Sequence, residues 1–198
     1  MARQFTITVT ATANGKSATG KTKLDVTPQG ASEPFALAGI KNASILYKDF
    51  GDDDVELLFT FDENGRKFRI DSVFERNSQG AMIVDHNKRE FWMVQTWLAP
   101  VWVQGPYETE FGPIGTPYIV KEDALDDYRT NRTKLVLGFE CKIYSHTEDE
   151  VQYEIAVHEG LVLSESENGV EVLRAIGIKK DVPNAPAFDR TMYITWWP

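Results

Sequence analysis

The chain has 198 residues, 42% hydrophobic and 12% aromatic, which supplies a core for one large domain and excludes a disordered chain. Its 21 Lys and Arg against 30 Asp and Glu leave a formal charge of −9, so a phosphate backbone is disfavoured and no nucleic-acid partner is expected. The lone Cys141 excludes an intramolecular disulfide and the CxxC metal patterns.

In chain order the dominant period is two. Within "FTITVTATANGKSATGKTKLDV", Phe5, Ile7, Val9 and Ala11 share one face and Thr6, Thr8, Thr10 and Thr12 the other. Asn14-Gly15 sits at the reversal, as a tight hairpin turn requires. The stretch "VELLFTFDENGRKFRIDSVFE" repeats the pattern: Val55, Leu57, Phe59 and Phe61 alternate inward and Phe68, Ile70, Ser72 and Phe74 answer them across Glu63-Asn64-Gly65. Two further strands, "GAMIVDH" and "EFWMVQTWL", are joined by the polar turn His86 to Arg89, which predicts an antiparallel meander.

Residues 99–133 interrupt the alternation as a Pro-, Gly- and aromatic-rich insert. Pro100, Pro106, Pro113 and Pro117, with Gly105, Gly112 and Gly115, oppose a regular ladder. One short helix is predicted near 117–129, from Val120, Ala124, Leu125 and Tyr128 with acids early and bases late. Beyond it, Leu135, Leu137, Phe139, Cys141 and Ile143 read as one alternating strand. Val151 to Val157, "LVLSE", "VEVLRAIGIKK" and "TMYITWW" complete the set.

The expected fold is therefore all-β: a single domain over 1–198, its antiparallel meander closing into a calycin-like up-and-down β-barrel that leaves no exposed edge. A two-sheet β-sandwich is the alternative. No apolar run approaches the roughly 20 residues that span a bilayer, and "MARQFTITVT" lacks the apolar segment of a secretory signal. No membrane partner and a cytoplasmic location follow as expectations.

The chemistry-bearing residues are few. On a strand, Trp92, Val94, Thr96 and Leu98 share one face and Phe91, Met93, Gln95 and Trp97 the other. Both faces are apolar, so both need cover, and residues 117–129 are the expected cover for this strand. Trp92, Gln95, Trp97, Trp102, Tyr107 and Tyr118 form the candidate lining of an aromatic pocket with polar groups among apolar walls. Asp85 is the one candidate acid, because burial beside Ala81 and Ile83 would raise a carboxyl pKa.

His86, His146 and His158 form no metal-ligand pattern, and the Asp85-His86 and His158-Glu159 pairs read as surface turn chemistry. Asp52, Asp53 and Asp54 are weak candidates for a Ca²⁺ loop, since they lack the spaced ligands of an EF-hand. Cys141, on the inward side of its strand, reads as a buried inert thiol. No nucleophile elbow, P-loop or dinucleotide fingerprint occurs, so no cofactor is expected.

Three functions fit these features. The first is a carrier, or an enzyme whose cavity shapes its substrate (isomerase- or cyclase-like), taking a small apolar or aromatic molecule. The second is a homo-oligomeric structural subunit of a viral or appendage-type assembly, joined through the threonine-rich hairpin and the 99–118 loop. The third is a carbohydrate-binding sandwich holding Ca²⁺.

Overall fold

A computed structural model describes residues 3–13, 16–26, 36, 38–51, 55–74, 77–95, 101–109, 112, 113, 115–181, 188 and 190. The chain divides into two compact units, Met1–Pro34 and Phe35–Pro198. In the first, β1 (Arg3–Ala13) pairs antiparallel with β2 (Lys16–Val26), from Arg3↔Val26 to Ala13↔Lys16. That register is the hairpin expected of an Asn-Gly reversal, although Asn14 and Gly15 themselves lie outside the described residues.

The second unit is also all-β. Its strands are β3 (Ala43–Asp49), β4 (Val55–Asp62), β5 (Lys67–Phe74), β6 (Asn77–Asp85), β7 (Glu90–Gln95), β8 (Val101–Gly105), β9 (Glu108–Thr109), β10 (Gly112–Pro113), β11 (Arg129–Val136), β12 (Phe139–Glu148), β13 (Val151–His158), β14 (Leu161–Glu167) and β15 (Val170–Lys180). Eleven of them form one antiparallel sheet in the order β11-β12-β13-β14-β15-β3-β4-β5-β6-β7-β8. Strands β9 and β10 make a separate two-residue ladder. The sheet is a meander with its seam moved: β15 pairs with β3, while β8 and β11 remain as edges. Among the described residues, hydrogen bonding therefore leaves the sheet open rather than closed into a barrel. Among the described residues no helix is long and apolar enough to cross a membrane.

Three local expectations change. The run from Leu135 to Ile143 is two strands, because Leu137 and Gly138 take positive φ (52° and 83°) and turn the chain between β11 and β12. Only glycine adopts such a φ without cost, and Gly138 was the available signal. The 99–133 insert contains β8 between its two flanking prolines, and its last residues begin β11. The helix is a single 3-10 segment, Glu122–Tyr128. Its Leu125 packs against Tyr144 of β12, Val157 of β13 and Val162 of β14, and not against the Trp92 strand.

One core cluster runs through this unit, built from Ile45 and Tyr47, Phe59 and Phe61, Phe68, Val84, Leu161, Leu163 and Ala175, with Ile119 from the connecting segment. Residues 38–41 and 116–120 close one end of it. Ala38 donates to Asn64 O and Gly39 to Glu159 O (both 2.8 Å), while Val120 donates to Gly160 O (2.8 Å) and Val162 to Tyr118 O (2.9 Å). Thus two connecting segments satisfy the backbone of the turns that they cover, as buried polar groups require.

Gly65 sits at this contact with φ +98°, and an added Cβ would lie 2.5 Å from Ile119 Cδ1. Gly65→Ala is expected to cost about 1–3 kcal/mol, from left-handed backbone strain plus displacement of Ile119. The midpoint of chemical denaturation measures it, and an unchanged midpoint would contradict the tight contact.

The opposite face of β3 to β6 is buried as well. Leu46, Leu58, Thr60, Asp62, Arg69, Asp71, Ile83 and Asp85 are all at or below 9% exposure. Lys67 Nζ stands 4.6 Å from the centre of the Phe188 ring, and the Arg190 guanidinium 3.5 Å from the centre of a Trp92 ring. Phe188 and Arg190 thus cover part of a face that alternation alone would assign to solvent.

Candidate functional site

The residues singled out from sequence fall into two groups. Tyr107 and Tyr118 pack against the main core cluster. Trp92 and Trp102 lie on the other face: Trp92 pairs with Ile83, which pairs with Arg69, and the Arg69 guanidinium is 5.3 Å from the Trp102 ring centre. Gln95 ends β7 opposite Val101. Trp97, Asp52, Asp53 and Asp54 lie outside the described residues.

Asp85 is buried, on the face shared with Arg69 and Asp71. Its Oδ1 accepts from Lys88 N at 3.0 Å, and Lys88 Nζ stands 3.9 Å from Oδ2. It therefore closes the β6–β7 turn. Beside it is a shallow cleft of about 80 Å³ bordered by Lys67, Glu90, Trp92 and Arg190.

His86 corrects the surface-turn expectation. It is 7% exposed, with Nδ1 2.6 Å from Tyr107 Oη and Nε2 2.8 Å from Thr116 Oγ1. Thr116 Oγ1 donates to Gly65 O at 3.2 Å. A hydroxyl that donates there accepts from His86, so Nε2 carries the hydrogen and Nδ1 accepts from Tyr107. Burial lowers the imidazole pKa from 6.5 to about 4, against a smaller opposing pull from Asp85. The ring is neutral, and it ties β6 to both segments of the insert. The sequence held no sign of this, since the partners are 21 and 30 residues away.

The remaining cluster surrounds Tyr118. This residue has φ 59°, and its ring stacks on Tyr47 (centroids 4.7 Å apart) and meets Phe59 edge-on (5.5 Å). Tyr47 Oη donates to Val162 O at 2.7 Å, which fixes the ring beneath. Half-buried Leu57, Ile70 and Met82 border the same core. Desolvation, then the carboxylates of Glu165 and Asp49, push the Tyr118 hydroxyl up to about 12. Glu165 is itself raised, first by burial, then by Glu167 and Asp49. Burial thus disfavours the charged forms of both the Tyr118 phenol and the Glu165 carboxyl near this aromatic floor. The Tyr118 phenol can donate a hydrogen bond to a ligand without presenting a full charge.

Comparison with known proteins adds little chemistry. No family model and no curated protein matches the chain. Two solved structures of PNGF-II, in space groups C2 and P21, resemble it at 14% identity and a TM-score of 0.43. The likeness covers 72% and 75% of this chain but 28% and 30% of those chains. The chain therefore spans under a third of their length.

Cys141 is fully buried, as expected, and burial raises its thiol pKa. Among the described residues no group of three or more His, Cys, Asp or Glu is arranged to hold a metal ion.

Proposed function

We propose that the protein binds a small apolar or aromatic molecule against the Tyr118 floor, as a carrier or as an enzyme whose cavity shapes its substrate. One observation carries this reading. Tyr118 leaves the connecting segment to enter the core, yet stays only half-buried beside Tyr47, Phe59 and Glu165. Apolar walls with a few convergent polar groups are the usual make-up of a small-molecule site.

In this reading the eleven-stranded sheet rolls about its interior as an up-and-down barrel, with the unbonded seam between β8 and β11. The β15–β3 pairing supports that arrangement, because it joins the last strand of the meander to the first of the sheet. A two-sheet packing of the same strands is the alternative. A cytoplasmic location is proposed with it, and a lone buried thiol suits a reducing compartment.

A native mass spectrum of the intact protein tests the proposal. The expected result is a monomer or dimer with a small apolar adduct, which Tyr118→Leu loses while remaining folded. A large discrete assembly without adduct would instead favour the structural-subunit reading.

A further inference from the structure

Two acidic runs, "EDALDD" at 122–127 and "TEDE" at 147–150, converge on a groove of about 260 Å³ between the 3-10 segment and β12–β13. Leu125, Tyr128, Tyr144, His146, Tyr153 and Ile155 line it. We propose that this groove binds a small organic cation, a quaternary or protonated ammonium carried on an apolar body.

The lining offers ring faces. His146 stacks on Tyr153 (centroids 5.2 Å apart, planes 21° apart) and Tyr128 meets His146 edge-on at 5.7 Å. Tyr144 is held in place by its hydroxyl, 3.2 Å from Glu122 Oε2, which also takes Lys142 Nζ at 2.6 Å. Glu122 Oε1 accepts from Gly160 N at 2.9 Å, so the base of the groove is braced from three directions. Tyrosine faces carry the negative end of the ring quadrupole and attract cations.

The charge around the groove has the matching sign. Asp126 and Asp127 precede Tyr128, and Glu148, Asp149 and Glu150 follow His146; all five are exposed. Glu148 Oε2 stands 3.8 Å from His146 Nε2. Arg129 adds one positive charge, whereas Lys142 is bound to Glu122 and Arg132 to Glu154. A rim of one sign raises the local concentration of the opposite ion. A sugar fits less well, because two of the polar lining groups are engaged: Ser145 Oγ accepts from Gln152 and the Tyr144 hydroxyl faces Glu122.

The test compares choline with its neutral isostere 3,3-dimethylbutan-1-ol, titrated into the whole protein and followed through the ring signals of Tyr128, His146 and Tyr153 by NMR. Choline is expected to saturate these shifts, with the alcohol about tenfold weaker or more. Tyr128→Ala and Tyr153→Ala are each expected to weaken choline by about tenfold, whereas Tyr128→Phe, which keeps the ring face, retains it. Tyr128 is exposed, so its replacement leaves the core intact. Tyr118→Leu leaves choline binding unchanged, which separates this groove from the core site. Equal affinity for the alcohol, indifference to both alanine variants, or no saturation by about 50 mM choline, far weaker than a millimolar site, would each overturn the proposal.

Discussion

Asp71→Ala is expected to lower stability by about 3–5 kcal/mol, the loss that follows when one half of a buried ion pair is removed. Arg69 Nε and Nη2 donate to the two carboxylate oxygens of Asp71 at 2.7 and 2.6 Å, and the two side chains are 0% and 1% exposed. Residues two apart on β5 project from the same face, so the strand brings the fork and the carboxylate together with little ordering cost. Truncating Asp71 leaves a guanidinium out of water beneath Trp102, without its bidentate partner. The net value of the pair is a separate quantity: replacing both members by Arg69→Met and Asp71→Leu is expected to recover most of the loss, because it also removes two desolvated charges. Urea midpoints of the two variants measure both numbers. A loss under about 1 kcal/mol for Asp71→Ala, the size of an exposed pair, would mean that water reaches the face.

The second large effect is a dependence on pH set by His86. Its folded pKa of about 4 lies below the ordinary 6.5, so the fold favours the neutral ring. Above about pH 6.5 neither state is protonated and the stabilisation is complete. As pH falls through this window the unfolded chain takes up a proton that the folded chain refuses, and stability declines. By pH 4 the accumulated loss is about 3 kcal/mol, from 1.36 kcal/mol per pKa unit. Protonating Nδ1 would also reverse the Tyr107 hydrogen bond, which couples the titration to the segment carrying Tyr107. Denaturation midpoints at about pH 7.5 and pH 4, compared between the parent and His86→Gln, isolate this contribution from that of the carboxylates, since only the parent binds the extra proton on unfolding. Parallel pH profiles would show that the imidazole is solvated.

Some of this molecule is legible directly. Alternation in "VELLFTF" and "KFRIDSVF" places Phe59, Phe61 and Phe68 in the core because a strand has a fixed period of two. The Asn-Gly and Glu-Asn-Gly reversals set the hairpin registers, since only certain residues tolerate positive φ. The all-β class, the β6–β7 turn and the buried Cys141 follow from the same local rules.

Tertiary structure decided the rest. Period two says which residues share a face but not what covers the second face, and so could not foretell that Arg69 and Asp71 are buried. His86 read as a surface residue because its partners, Tyr107 and Thr116, arrive from a distant insert. The 3-10 segment was placed over the Trp92 strand, but apolar complementarity with Tyr144, Val157 and Val162 drew it to β12–β14. In each case the deciding interaction joins residues far apart in the chain. Local propensity carries no information about such a pairing: which distant surfaces meet depends on the burial that their contact achieves, and only the folded chain specifies it.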